Sequence, residues 1–377
     1  MHNALPAPDP TDAITDSAIS LLKRLIATPA FSGEEAGAAV LLEQFFEQYH
    51  IPTRRHLHNV WALNRHFSSE KPSILLCSHH DTVRPNPGYT RDPFTPEIED
   101  GKLYGLGSND AGGCLVCLAA AFTALYERAD LPFNLVFAGV AEEEISGKNG
   151  VESLLPHLPP LNCAIIGEPT KLDLAVAEKG LMVLDCEAHG KAGHAARDEG
   201  VNAIYAALPD LEWFRAYRFP KQSDWLGPTK MTVTVIETTN RAHNVVPDTC
   251  RFVVDVRLTD VYTPEAVLEI IRSNVQCAVT PRSTRLRATA IAAEHPLVQS
   301  GLYLGKKAYG SPTTSDKALL PVPALKCGPG DSARSHTADE FIYLEEIREG
   351  MVFYLAILEQ YINFSPCLRG EKQNNTQ

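Results

Sequence analysis

No apolar run in this 377-residue chain approaches the ~20 residues that a helix needs to cross a bilayer. Residues 1–15 carry Pro, Asp and Thr and lack the basic start and apolar core of a signal peptide. Basic residues are in deficit, 34 Lys and Arg against 46 Asp and Glu, for a formal net charge of -12. Sequence-independent nucleic-acid binding needs clustered Lys and Arg, so that class is set aside and the acidity is read as solubility. A disulfide framework is also missing. The nine cysteines, an odd number, are scattered, and several sit in apolar runs, such as Cys77 in SILLCSHHD and Cys163 in LNCAIIGEP. Buried free thiols and a cytoplasmic location are the expectation. Cys114 and Cys117 form a CxxC, but no second pair or His pair accompanies them, and CLVCLAAAFTALY reads as a packed helix. There are no internal repeats and no low-complexity segment.

Helical periodicity covers residues 14–28 and 34–50, and Ser32 with Glu35 reads as a capping box for the second of these helices. Short continuous apolar runs at 73–78, 133–140 and 163–167 have the pattern of buried parallel strands, with helical stretches at 111–128 and 148–156 between them. This alternation predicts an α/β domain with a central, mostly parallel sheet flanked by helices. The texture changes near residue 175. Strand 175–189, helix 200–217, strands 229–237 and 251–259, helix 264–277 and strand 285–291 give the order β-α-β-β-α-β, the ferredoxin-like plan. Residues 301–309 read as a helix or strand edge, and 344–361 as a long amphipathic helix. The expected layout is a catalytic domain in two parts, 1–174 and 289–365, interrupted by an inserted α+β domain at 175–288, with a polar disordered tail at 366–377.

Chemistry-bearing residues fall just after the expected strands, where the loops of an α/β sheet converge. The first strand ends in His79-His80-Asp81, the second in Glu142-Glu143-Glu144, and the third in Glu168. Asp110 opens a helix after the Gly-rich YGLGSNDAGG, and GPGDSARSH delivers His336. Singly, each has an ordinary explanation: a surface or core His, a solvated run of Glu, an Asp capping a helix. Together they change the reading. Clustered carboxylates repel and would be driven to neutralise unless a cation compensates them. His with Asp and Glu, and no Cys, favours zinc or a similar divalent ion in a hydrolytic role.

The motifs SHHDTV, LYGLGSNDAGG, AEEE, IIGEPT and GPGD…SHTADEF, with GKAGHAA and NVVPD…VDVR in the insert, resemble the acetylornithine deacetylase, succinyl-diaminopimelate desuccinylase and carboxypeptidase G family of two-metal hydrolases. The resemblance runs from about residue 15 to 362, with its motifs in family order. It implies two divalent metal ions, zinc in preference to cobalt or manganese. His79 and Glu168 would bind one, Glu144 and His336 the other, and Asp110 would bridge them. It makes Glu143 the general base and Asp81 the partner of the second nitrogen of His79. The inserted domain would serve dimerisation and act as a lid. His194 would stabilise the oxyanion across a homodimer, and Asn244 and Arg257 would be candidates for substrate binding. The glycines of CGPGD, Gly330 among them, would allow backbone approach to substrate or only a tight turn.

The implied reaction is removal of an acyl group from an N-acyl amino acid. SPTTSDKALL resembles a stretch of the diaminopimelate desuccinylases that usually has Arg two residues after the Asp, where this chain has Ala318. GPGDSARSHTADEF looks more like acetylornithine deacetylase, so the expected substrate is N-acetylornithine, or acetylcitrulline or succinylornithine, in arginine biosynthesis. Arg334 is either a reader of a substrate carboxylate or a surface residue. Two alternatives stand beside this: a dipeptidase or carboxypeptidase on the same scaffold, and a non-catalytic binding protein that has kept the fold.

Overall fold

Two seven-residue strands, Ser73–His79 and Asn134–Val140, are buried at every position. They pair in parallel from Ser73↔Asn134 to His79↔Val140. Runs of Ile, Leu, Val and Phe without polar alternation have no face for water, and a sheet covered on both sides is where they are stable. The protein is described by a computed structural model in which residues 10–365, apart from residue 198, are placed. Cys163–Ile166 joins the free edge of Ser73–His79 in parallel, and Ala324–Lys326 joins Cys163–Ile166 in parallel. Antiparallel strands complete the sheet: Asn59–Leu63 and Thr53–His56 on one side, Leu174–Glu178 on the other. The central sheet is thus mostly parallel, as expected.

The chain divides into two compact units. One runs up to Val176 and takes in Ile291–Tyr309 and the described residues from Leu320 on; the other is Ala177–Ala290 with Gly310–Leu319. In the first unit, helix Gly113–Leu125 is buried at nearly every residue, Cys114 and Cys117 included. Its apolar residues share one core with Leu22 and Ile26 of helix Pro10–Ile26, Leu42 and Phe46 of Ala36–Gln48, and Ile347, Met351 and Tyr354 of Leu344–Phe364. Eight cysteines are free among the described residues, and seven of these are buried.

In the second unit, the four-stranded antiparallel sheet runs Lys230–Glu237, Thr249–Leu258, Gly180–His189, Ala278–Pro281, with helices Ala203–Ala216 and Pro264–Arg272 contributing to the core on one face. Its last strand corrects the expectation. Residues 278–281 form it, not 285–291, because the preceding helix stops at Arg272 rather than 277. Ser273, Asn274 and the β-branched Val275 are poor continuations of a helix. The short strand Thr289–Ala290 instead pairs with Ala177 and Glu178.

Two further expectations are corrected. Helix Ala36–Gln48 has Glu35 at its N-cap with no side-chain cap bond, so Ser32 and Glu35 form no capping box. Asp110 does not open a helix: its φ and ψ are -116° and 99°, and the helix begins at Gly113. Residues 296–303 form a helix and 308–311 a strand, where 301–309 left both open. The tail expected at 366–377 lies outside the described residues.

Candidate metal centre and active site

Parallel strands end on one side of their sheet, so their following loops meet. His79 is the last residue of its strand; Glu142–Glu144 follow Asn134–Val140 and Glu168 follows Cys163–Ile166. The loop after Ala324–Lys326 leads to His336, which has a left-handed φ of 60°. Six of the sequence-predicted residues come together here. Ligand atoms of His79, Asp110 and Glu144 lie within 4.8 Å of one another, and so do those of His79, Glu143 and Glu168. The Asp110 carboxylate is shared: Oδ1 is 3.3 Å from His79 Nε2, and Oδ2 is 3.6 Å from His336 Nε2. His336 Nε2 is 3.0 Å from Glu144 Oε2, and His79 Nε2 is 3.8 Å from Glu168 Oε1.

Burial opposes charge on His79, but hydrogen bonds with Asp110 and Asp81 and the charges of Glu143 and Glu168 outweigh it and raise its pKa well above the usual imidazole value. Its hydrogen bond to Glu144 raises His336 to about 9. Burial, with Asp110 and Glu144 adding to it, pushes Glu168 up to about 8. Glu168 and the two imidazoles therefore hold protons at neutral pH, and a divalent cation can bind beside Asp110 and Glu144 by displacing them. The two oxygens of the Asp110 carboxylate, Oδ1 toward His79 and Oδ2 toward His336, with Glu168 near the first imidazole and Glu144 near the second, could hold two such ions. His80 turns away. Burial lowers its pKa to about 4, and neither ring nitrogen has a hydrogen-bond partner.

Loop geometry is fixed by buried carboxylates and one amide. Asp81 was expected to bond the second nitrogen of His79; that nitrogen, Nδ1, is 3.0 Å from the Asp81 carbonyl and 3.5 Å from its Oδ1. The Asp81 carboxylate accepts the N–H groups of Glu143 at 3.0 Å and Glu144 at 3.2 Å, and the Ser32 hydroxyl at 2.6 Å. Glu142, with φ of 56°, bends the turn and uses its own carboxylate on the Asn149 N–H and side-chain amide. Glu340 accepts the N–H groups of Gly107, Asn109 and Asp110. Fully buried Asn109 donates to the Asp331 carbonyl and accepts the Asp331 N–H, joining the Asp110 loop to the His336 loop. Gly330 has φ of 89°, and a Cβ there would lie 2.5 Å from Asn109 Oδ1. Arg334 is held by Glu346 at 2.6 Å and stacks over Phe341 and Tyr343. Sequence reasoning missed Glu35, Asn109 and Glu340 as supports. SHTADEF contains Glu340 and LYGLGSNDAGG contains Asn109, whereas Glu35 was read only as a helix-capping residue.

The remaining candidates belong to the second unit. His194 lies on the short strand Gly193–His194, paired with Val245–Val246, and the Asn244 carbonyl accepts the Ala195 N–H, so His194 and Asn244 are neighbours. His194 Nδ1 accepts the Ala196 N–H, which leaves Nε2 as the protonated nitrogen of the neutral ring. Arg257 spends one edge of its guanidinium on Asp255, at 2.8 and 3.0 Å.

A family model described as peptidase family M20/M25/M40 matches residues 75–360. Succinyl-diaminopimelate desuccinylase of Paracoccus denitrificans is 26% identical over 392 residues, covering 94% of this chain and 99% of the relative. The Gluconobacter oxydans enzyme of that name is 26% identical over 93% and 98%. Among solved structures, a tripeptidase from Staphylococcus aureus superposes with a TM-score of 0.75 at 18% identity, covering 93% of this chain and 99% of the other. Aminopeptidase PepT from Bacillus cereus gives 0.74 at 18%, covering 92% and 98%. These structures speak for the fold alone. The curated relatives named here are desuccinylases, so they give no support to the leaning toward acetylornithine deacetylase and arginine biosynthesis.

Proposed function

The chain belongs to peptidase family M20/M25/M40, and from that premise we propose that it is a metal-dependent amidohydrolase that removes the acyl group from an N-acyl amino acid. The observation that carries the proposal is the Asp110 carboxylate, divided between His79 and His336, with Glu143 beside His79 and Glu168. His79, Asp110, Glu144, Glu168 and His336 would hold divalent cations, zinc by preference from the ligand types, which would supply the Lewis acidity that lowers the pKa of water and polarises an amide carbonyl. Glu143 takes the proton of the attacking water and returns it to the leaving amine nitrogen. His194, with its proton on Nε2, is the donor to the oxyanion and acts in a homodimer.

The favoured substrate is N-acetylornithine or a near analogue, on the motif around His336. The names of the curated relatives favour a second reading, removal of a succinyl group from N-succinyl-diaminopimelate. Ala318, at the position where an Arg would suit an additional substrate carboxylate, counts against that second reading. Amine release from a panel of N-acetyl, N-succinyl and N-formyl amino acids, with zinc or cobalt added, decides between them. Dipeptides and folate-like glutamates belong in the same panel. Turnover of those alone, with every N-acyl amino acid untouched, would overturn the deacylase reading in favour of a peptidase.

A further inference from the structure

Three successive amides, those of Glu142, Glu143 and Glu144, each end on a buried carboxylate. Glu35 Oε1 accepts the first at 3.2 Å, Asp81 Oδ1 the second at 3.0 Å and Asp81 Oδ2 the third at 3.2 Å. Segment 32–35 supplies the outer half of this arrangement. Ser32 Oγ donates to Asp81 Oδ2 at 2.6 Å, on the oxygen that serves Glu144, and Glu35 Oε1 also accepts the Gly33 N–H at 2.6 Å. The Glu35 side chain is fully buried, and its other oxygen is 2.7 Å from His58 Nδ1. The segment is tied to the strand end, since the Thr82 N–H donates to the Ala30 carbonyl at 2.8 Å. Neither Ser32 nor Glu35 caps the helix that follows. A buried carboxylate is costly unless it is compensated. Here the compensation includes the backbone of the turn that carries Glu143.

We propose that Glu35 and Ser32 are positioning residues for this reaction: they clamp the Glu142–Glu144 turn and so fix the direction of the Glu143 and Glu144 carboxylates. Glu142 has a left-handed φ of 56°, a conformation that an L-residue holds only when its surroundings impose it. The clamp imposes it from two sides, Glu35 on the first amide and Asp81, oriented by Ser32, on the next two. The inference rests on Glu143 being the general base.

The test measures kcat, KM and bound metal for Glu35→Ala, Glu35→Gln, Ser32→Ala and Ser32→Thr, with Glu143→Ala in the same series. Hydrogen exchange across 141–147 in the metal-free chain is followed alongside. The expected result for Glu35→Ala, assayed at saturating metal, is a fall in kcat of roughly 10–100-fold with KM unchanged. Faster exchange should be confined to that turn. Ser32→Thr, which keeps the hydroxyl, should recover most of the kcat lost in Ser32→Ala. If Glu35→Ala does not fold, Glu35→Gln, with one acceptor oxygen left, should show the same split between kcat and KM. An unchanged kcat in both Glu35 variants overturns the clamp, and so does faster exchange throughout the first unit with loss of metal. Near-normal turnover by Glu143→Ala overturns the base itself, a separate failure from that of the clamp.

Discussion

Glu340 Oε1 accepts the backbone N–H of Asp110 at 2.9 Å, and the same carboxylate takes the N–H groups of Asn109 at 2.8 Å and Gly107 at 3.0 Å. The loop that presents the shared carboxylate is therefore built around one buried acid. Glu340→Gln keeps the size but replaces an acceptor oxygen with a donor that faces donors. Metal affinity should fall by about 10–100-fold, as it does when partners that orient metal ligands are lost. Competition with a chromophoric chelator measures it. Wild-type affinity in a folded variant would rule this role out.

Asp110 is expected to hold both ions, because its two oxygens face two imidazoles. Asp110→Ala should therefore lose affinity at both sites together rather than at one. Metal analysis after gel filtration reads the stoichiometry directly. Two tightly retained ions per chain would show that the bridge is dispensable.

Cation binding should be proton-linked. Glu168 is pushed up to about 8, chiefly by burial, and His336 is raised to about 9 by its hydrogen bond with Glu144. Both hold protons at neutral pH in the cation-free chain, and a cation needs the carboxylate ionised and the imidazole neutral. The sign follows: binding releases protons, so apparent affinity rises with pH until it passes these pKa values. Each displaced proton contributes about tenfold per pH unit. Titration calorimetry at pH 7 in two buffers of different ionisation enthalpy should show net proton release. Heats that are independent of the buffer would contradict it.

What the sequence disclosed follows from the physics of each residue. His79, Glu144 and Glu168 were legible because buried parallel strands write continuous apolar runs, and ligands placed at their ends stand out against them. Strand Thr53–His56 was not legible, since TRRH has no apolar pattern and is recruited by pairing with Asn59–Leu63. Ala324–Lys326 is only three residues long and is fixed by neighbours more than a hundred positions away. Ser32 and Glu35 were misread for an instructive reason. Their spacing satisfies a local motif, but tertiary partners at Asp81 and Glu142 offer these side chains more than the helix end does. Asn109 and Glu340 lie inside quoted motifs, but their roles became legible only through the backbone groups they bind in distant loops.

Gly330 separates a conformational requirement from a substrate role. Its φ of 89° and the 2.5 Å approach of Asn109 Oδ1 to an added Cβ both penalise a side chain. Gly330→Ala should cost about 1–3 kcal/mol of stability through backbone strain. It should also loosen the link between the Asp110 and His336 loops that Asn109 makes. Chemical denaturation of the metal-free chain gives the stability term without any contribution from substrate. A variant as stable as the parent but with raised KM would move Gly330 to the substrate side.

Glu142 and Glu143 are adjacent carboxylates with opposite expected phenotypes. Glu142 folds back on its own turn, accepting the Asn149 N–H at 3.0 Å and its side-chain amide at 2.8 Å. Glu143 points to the cluster, with an oxygen within 4.8 Å of ligand atoms of His79 and Glu168. Glu142→Ala should lower stability by about 1–3 kcal/mol through the lost bonds to Asn149 and retain most of the turnover of the folded fraction. Glu143→Ala should leave the stability and the metal content near normal and lower kcat by at least ~10²–10⁴, the usual contribution of a positioned base. For each variant, folding, metal content and turnover are read on the same purified sample. A Glu143→Ala enzyme that has lost an ion as well as its activity would make Glu143 a ligand, and the search for the base would move elsewhere in the cluster.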